Sequence, residues 1–203
     1  MMLVPIFAAK PRPRLFDSFT RAGNITHADV ALSNGDRTAT LTNIAAHRLA
    51  GVVNDKNYGR QYWEMICDAA GSAAPAVGVC TIAASPTNYL GSDAFGWGYH
   101  ASGHKAFGGS LTAGFAAWTT GDVISVAYDW TAQKLWFAKN GAWQGSGDPA
   151  AGSNEAFAGV TGTSVGAALS MIAAASTAQF TLNAGNAPFA YTVPAGFEAG
   201  IFR

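Results

Sequence analysis

From Asp29 onward the chain runs as short strand-like stretches cut by turn residues, and this rhythm constrains its fold more than any other feature. Asn34-Gly35 sits between the runs 30–33 and 37–42. That pair is a strong hairpin signal, because Asn and Gly tolerate the positive φ that a tight β-turn demands. Further runs follow at 48–53, 60–67, 77–83, 95–100, 122–129, 134–139, 166–172 and 177–182, separated by Gly, Asn, Asp and Pro. Within 123–129 and 134–139, alternate side chains point to opposite faces, which puts Leu135 and Phe137 on one face. Residues 130–133 close that hairpin, and Asn140-Gly141 turns the chain again into Ala142-Trp143. Helical spacing is scarce, and 149–158 is the one place that admits a short helical turn. The pattern predicts an all-β fold, an antiparallel two-sheet β-sandwich.

A chain of 203 residues suits one such domain. With 49% hydrophobic and 12% charged residues it can bury a sizeable core under a surface of small polar groups, Gly and Ala. Residues 1–21 read differently from the sandwich at 22–203. Pro5, Pro11 and Pro13 force an extended path without a ladder of donors, so this arm cannot build its own core. Its apolar residues, Phe19 among them, need a partner surface or the flank of the sandwich, unless the segment is merely a solvated tail. The arm holds four cations against one carboxylate, +3, and the rest eight against eleven, −3. Electrostatic docking therefore belongs to the arm, with Ile6, Phe7, Lys10, Arg12, Arg14 and Phe16 as anchoring residues, and the acidic body argues against nucleic-acid binding. The apolar opening lacks the preceding positive charges of a secretory signal, and no stretch approaches the length of a membrane span.

Chemistry-bearing groups are sparse. Cys67 and Cys80 lie in successive runs. A hairpin turning near Ser72 would set them opposite Val77 and Glu64, out of register, so reduced buried thiols are expected rather than a disulfide. His100 and His104 are four apart but separated by Ala-Ser-Gly, which reads as a turn with two surface imidazoles rather than a metal site. No serine sits in a nucleophile elbow and no cysteine has an evident base. Asp122 and Asp129 stand at opposite ends of one strand, too far apart for paired-carboxylate catalysis. Asp93, Asp148 and Glu155 suit turn capping better than calcium binding. The sequon Asn24-Ile-Thr26 would matter only on secretion in a eukaryote. No enzyme activity, metal or cofactor is expected.

Several segments resemble the SPRY domain family in order along the chain. Gly59-Arg-Gln-Tyr-Trp-Glu64 is similar to its G-x-x-Y-W-E strand, Val77-Gly-Val79 to the next strand, and Gly96-Trp-Gly-Tyr99 to its W-G-Y segment. Thr120-Gly-Asp-Val-Ile124, Tyr128-Asp129 and Lys134-Leu-Trp-Phe-Ala-Lys-Asn-Gly141 resemble the strand and hairpin that follow. Phe180, Pro188-Phe189 and Pro194-Ala-Gly-Phe197 resemble the closing strand and tail. The agreement covers about residues 29–197. It implies a bent two-sheet sandwich, no cofactor, and protein recognition through loops at one end, where the Trp-Gly pair maps to Gly96, Trp97 and Gly98.

Tyr89, Gly96, Trp97, Gly98 and Tyr99 are thus expected to form a loop platform for a ligand, with core burial of Trp97 left open. Six tryptophans exceed what a core of this size is expected to hold. Trp63 and Phe137 are assigned to the core, and Trp130 and Trp143, at hairpin ends, to an interaction surface or a neighbouring subunit. RING, B-box and coiled-coil segments are absent, and the Gly/Ala-rich loops at 69–76 and 145–153 are of microbial style. These features lead to the expectation of a bacteriophage virion protein, assembled in the bacterial cytoplasm as a fibre, spike or decoration subunit in several copies. Its arm would hold capsid or tail proteins and its loops a host surface protein, a glycan or a neighbouring copy. A soluble bacterial protein-interaction adaptor and a carbohydrate-binding sandwich are the alternatives.

Overall fold

The turn-delimited runs become strands that divide between two antiparallel sheets. A computed structural model describes residues 18–22, 25–43, 47–54, 58–72, 74–171 and 176–201. The larger sheet has nine strands, ordered β1 (Ala31–Ser33), β2 (Thr38–Asn43), β14 (Ser176–Asn183), β4 (Arg60–Ala69), β9 (Val123–Asp129), β10 (Lys134–Lys139) and β11 (Ala142–Trp143), with β12 (Phe157–Ala158) on β10 and β15 (Glu198–Ala199) parallel to β4. The smaller sheet has six, ordered β3 (Arg48–Gly51), β13 (Gly166–Met171), β5 (Ala76–Cys80), β6 (Gly96–His100), β7 (His104–Phe107) and β8 (Ser110–Ala113).

Turn chemistry sets the registers. Asn34, Gly35 and Asp36 all have positive φ, so β1 and β2 close around a four-residue loop with Ser33 opposite Thr38. Asp129 pairs with Lys134, leaving 130–133 as the β9–β10 turn, as the sequence predicts. Residues 149–158 form no helical turn. Pro149 starts a tight turn in which the Gly152 N–H donates to its carbonyl at 3.1 Å, and the chain then enters β12.

Three apolar layers result. Between the sheets, Trp63, Met65, Ile124, Val126, Leu135, Phe137 and Phe180 meet Val77, Val79, Trp97, Tyr99 and Leu169. Leu135 and Phe137 do share that face, while Trp136 points the other way. Outside the large sheet, Tyr62, Ala127 and Trp136 lie under Trp143, Phe189, Val193 and Phe197 of the returning chain. Outside the small sheet, Ile25, Ala84 and Leu90 cover Leu49, Ala76, Cys80 and Ala168.

This layering corrects the tryptophan expectation. Trp63, Trp97, Trp118, Trp130 and Trp136 are all buried, and Trp143 is half-buried. Covering a sheet on both faces gives outward-pointing rings an interior of their own, and Trp130 is buried within its own chain. The β4–β5 hairpin is also corrected: the two strands belong to opposite sheets. Cys67 and Cys80 are unpaired and buried in different layers. Of the arm, Ser18 to Arg21 fall among the described residues. Phe19 is 2% exposed in the central core, and its N–H donates to Asp36 O at 2.8 Å.

Candidate interaction surface

The W-G-Y segment is not a loop. Gly96, Trp97, Gly98 and Tyr99 form the body of β6 and every residue of that strand is buried. Trp97 and Tyr99 point between the sheets, and Gly98 lies against Leu90 on the opposite face. The Tyr99 hydroxyl donates to the Ala116 carbonyl, and burial raises its pKa. Tyr89 alone of the expected platform lies in a loop. It is half-buried, its ring edge-on to His47 at 5.0 Å and to His100 at 5.8 Å. His100 is itself buried, not a surface imidazole. Its Nε2 lies 3.3 Å from Leu90 O, and burial lowers its pKa. The structure therefore separates Tyr89 from the two core aromatics. Ile6, Phe7, Lys10, Arg12, Arg14 and Phe16 lie outside the described residues.

What Trp97 does present is a floor. The β6–β7 register places Tyr99 across from Lys105, and two residues further Trp97 and Phe107 stack with centroids 5.3 Å apart and planes 9° from parallel. Phe107 is 40% exposed. Its ring also approaches Phe157 at 6.5 Å, which in turn meets Phe137 of the core at 6.4 Å. Lys105 ties this edge together: its ammonium donates to Ala156 O at 3.0 Å and lies over the rings of Phe115 and Phe157. Of the four large hydrophobics that stand well exposed among the described residues, Phe95 and Phe107 belong to this end of the small sheet, Leu111 lies at the same edge on the outer face, and the fourth is Tyr58. Apolar exposure concentrated at one place marks an interaction surface more strongly than scattered residues do. Rings locked onto a core tryptophan also lose little entropy when a partner covers them.

The hairpin that carries Phe107 was missed in the sequence. Its signal was the Gly108-Gly109 pair, which forms a two-residue loop with φ of +59° and +78° between Phe107 and Ser110. The 91–95 loop braces that turn, with Gly108 N–H donating to Asp93 O and Gly109 N–H to Gly91 O.

Other charged groups have structural employment. Glu64 is 1% exposed and accepts from the Tyr62 hydroxyl and from the Ala190 and Tyr191 N–H groups, so the Y-W-E motif pins the returning C-terminal segment. Arg60 Nε donates to Asp129 Oδ2 at 2.7 Å. Asp93 and Asp148 cap turns through the N–H groups of Phe95 and Ala151, as expected, and Glu155 pairs with Lys134 at 3.1 Å. Among the described residues no three His, Cys, Asp or Glu converge as metal ligands, and no helix is long and apolar enough to cross a membrane.

Residues 60–186 match the family model of the SPRY domain. The chain belongs to the SPRY domain family. Those residues run from the start of β4 to just past β14, so the SPRY match includes Trp97, Phe107 and Phe157. Among solved structures, the SPRY domain of human HERC1 is similar at 18% identity with a TM-score of 0.64, covering 78% of this chain and 94% of that one. Stonustoxin is similar at 20% identity with a TM-score of 0.59, over 82% of this chain and 26% of that one. At such identities the likeness speaks for the fold. No curated protein sequence matches. SPRY membership makes this chain a protein-interaction module.

Proposed function

We propose that this SPRY domain binds a protein partner through the inner-face edge built by Phe95, Phe107, Phe115 and Phe157, with Lys105 holding the rings in place. The observation that carries this reading is the stacking of a 40%-exposed Phe107 on the buried Trp97. Tyr89, Trp97 and Tyr99 are not put forward as direct contacts, since Trp97 and Tyr99 have no free surface to offer. Truncating Trp97 would test the core, at a cost of about 3–5 kcal/mol. The informative position is Phe107. A photo-crosslinking residue placed there should yield one defined adduct in the native assembly, and the same residue at exposed Thr131 should yield none. Absence of an adduct at position 107 would reject the surface.

The wider setting is proposed from the sequence: a bacteriophage virion subunit, present in several copies and non-catalytic, whose arm at 1–21 ties it to capsid or tail proteins. Support comes from the +3 charge and apolar content of the arm and from the sparsely charged, Gly- and Ala-rich body. Deleting residues 2–17, which leaves the core residue Phe19 in place, should abolish incorporation into particles, and undiminished incorporation would reject the arm as anchor.

A further inference from the structure

The edges of the two sheets are not treated alike. A sheet edge offers unpaired N–H and C=O groups to any passing strand, and proteins usually guard it with cover, charge, proline, bulges or shortness. In the small sheet, β3 is covered: Leu49 N–H donates to Pro86 O at 3.0 Å and Leu49 O accepts from His27 N–H at 2.9 Å. In the large sheet the strands paired on one side only, β1, β11, β12 and β15, have no more than three residues. The remaining edge, β8, reads Ser110-Leu-Thr-Ala113. It carries no charge and no proline, and all four residues are exposed. Its flanks are open as well, since a Cβ built on Gly108 or Gly114 would meet nothing within 4 Å among the described residues.

We infer that β8 pairs antiparallel with β8 of a second copy of this chain, in a register centred on Leu111. This goes beyond reading the Phe107 edge as an interaction surface, since a second copy paired along β8 leaves the Phe107 rings displayed for the protein partner. The strand is complementary to itself in that register. A two-fold axis normal to the sheet sets Leu111 against Leu111 of the other copy, so the 52%-exposed side chains bury each other. On the opposite face Ser110 meets Thr112, hydroxyl beside hydroxyl, a favourable cross-strand pair. No like charges oppose one another. Phe107 lies opposite Ser110 on β7, the next strand in. The two copies therefore present their Phe107 rings on the same face, three strand spacings apart across the sheet and two residues apart along it, roughly 16 Å in all. One continuous sheet would then display a doubled aromatic surface with Ser and Thr lining its floor. Four-residue pairing is a small interface, and such contacts are weak and reversible.

Because Leu111 faces itself across the axis, single charges decide the case. Sedimentation velocity of the full chain, from about 1 to 200 µM, should show a concentration-dependent dimer with dissociation in roughly the micromolar range. Leu111→Lys and Leu111→Glu should each be monomeric with an unchanged melting temperature, since the site is exposed. An equimolar mixture of the two should form a mixed dimer. A wild type that stays monomeric throughout, a Leu111→Lys variant that still dimerises, or a mixture that remains monomeric overturns the pairing. Loss of the dimer on deleting residues 2–17, with Leu111→Lys without effect, would name the arm as occupant and also overturn it. If self-pairing fails while a crosslinker at position 107 still captures a different protein, the interaction surface stands without the dimer. If position 107 captures nothing, that reading falls as well.

Discussion

Replacing Glu64 by Gln isolates what the Y-W-E motif does. The side chain is 1% exposed; Oε1 accepts from Tyr62 Oη at 2.8 Å and Tyr191 N at 2.9 Å, and Oε2 from Ala190 N at 2.9 Å. An amide is nearly isosteric but keeps one oxygen. With that oxygen in the Oε1 position, its NH₂ faces the Ala190 N–H and two donors oppose each other. A hydrogen bond to a charged acceptor contributes about 1.5–3 kcal/mol and a neutral one about 1. One bond is lost outright and two fall to neutral strength, while relief from burying a carboxylate works in the opposite direction. The expected net loss is about 2–4 kcal/mol. With a urea dependence of roughly 2–3 kcal/mol per molar, the unfolding midpoint should drop by about 1 M. Hydrogen exchange should locate the damage, with amides of residues 188–193 opening before those of β4 and β9. A midpoint within about 0.2 M of wild type, with unchanged exchange in 188–193, would refute the view that Glu64 holds the C-terminal segment.

Two glycines make a matched pair: a Cβ at Gly78 would lie 1.9 Å from Trp97 O, whereas at Gly152 it meets nothing within 4 Å despite a φ of +70°. Gly78→Ala should give no folded protein and Gly152→Ala should cost about 1 kcal/mol, so equal melting temperatures would contradict the β5–β6 approach. Burial, with smaller contributions from nearby carboxylates, pushes the Cys67 and Cys80 thiols up to about 12. Neither should react with a thiol reagent at pH 8 until the chain is unfolded, and rapid native labelling would refute their burial. The unfolded state then loses these protons first, so stability should be intact below pH 9 and decline as pH rises from about 9 toward 12. A stability curve flat across that range would contradict the shift.

Local signals in the sequence translated well wherever they were complete in themselves. Alternation in 123–129 and 134–139, with turn residues at 130–133 and Asn140-Gly141, specified β9, β10 and their pairing, because register in a hairpin follows from the loop. The β7–β8 hairpin was equally local, but its Gly-Gly turn joins residues such as His104 and Lys105 that do not read as a strand. The candidate site was much less legible. Trp97 and Phe107 are ten positions apart, and nothing in either residue says which of them meets solvent.

The order of strands and turns, their all-β character and the SPRY resemblance are properties of the sequence alone, since each rests on neighbours a few residues apart. Assignment of β4 and β5 to opposite sheets, burial of five tryptophans and the capture of Ala190 and Tyr191 by Glu64 were decided only in three dimensions. Period-two alternation tells which side chains share a face, but whether that face is covered depends on chain that returns more than a hundred residues later. The same rule leaves Phe107 and Leu111 exposed, for among the described residues nothing returns to cover them.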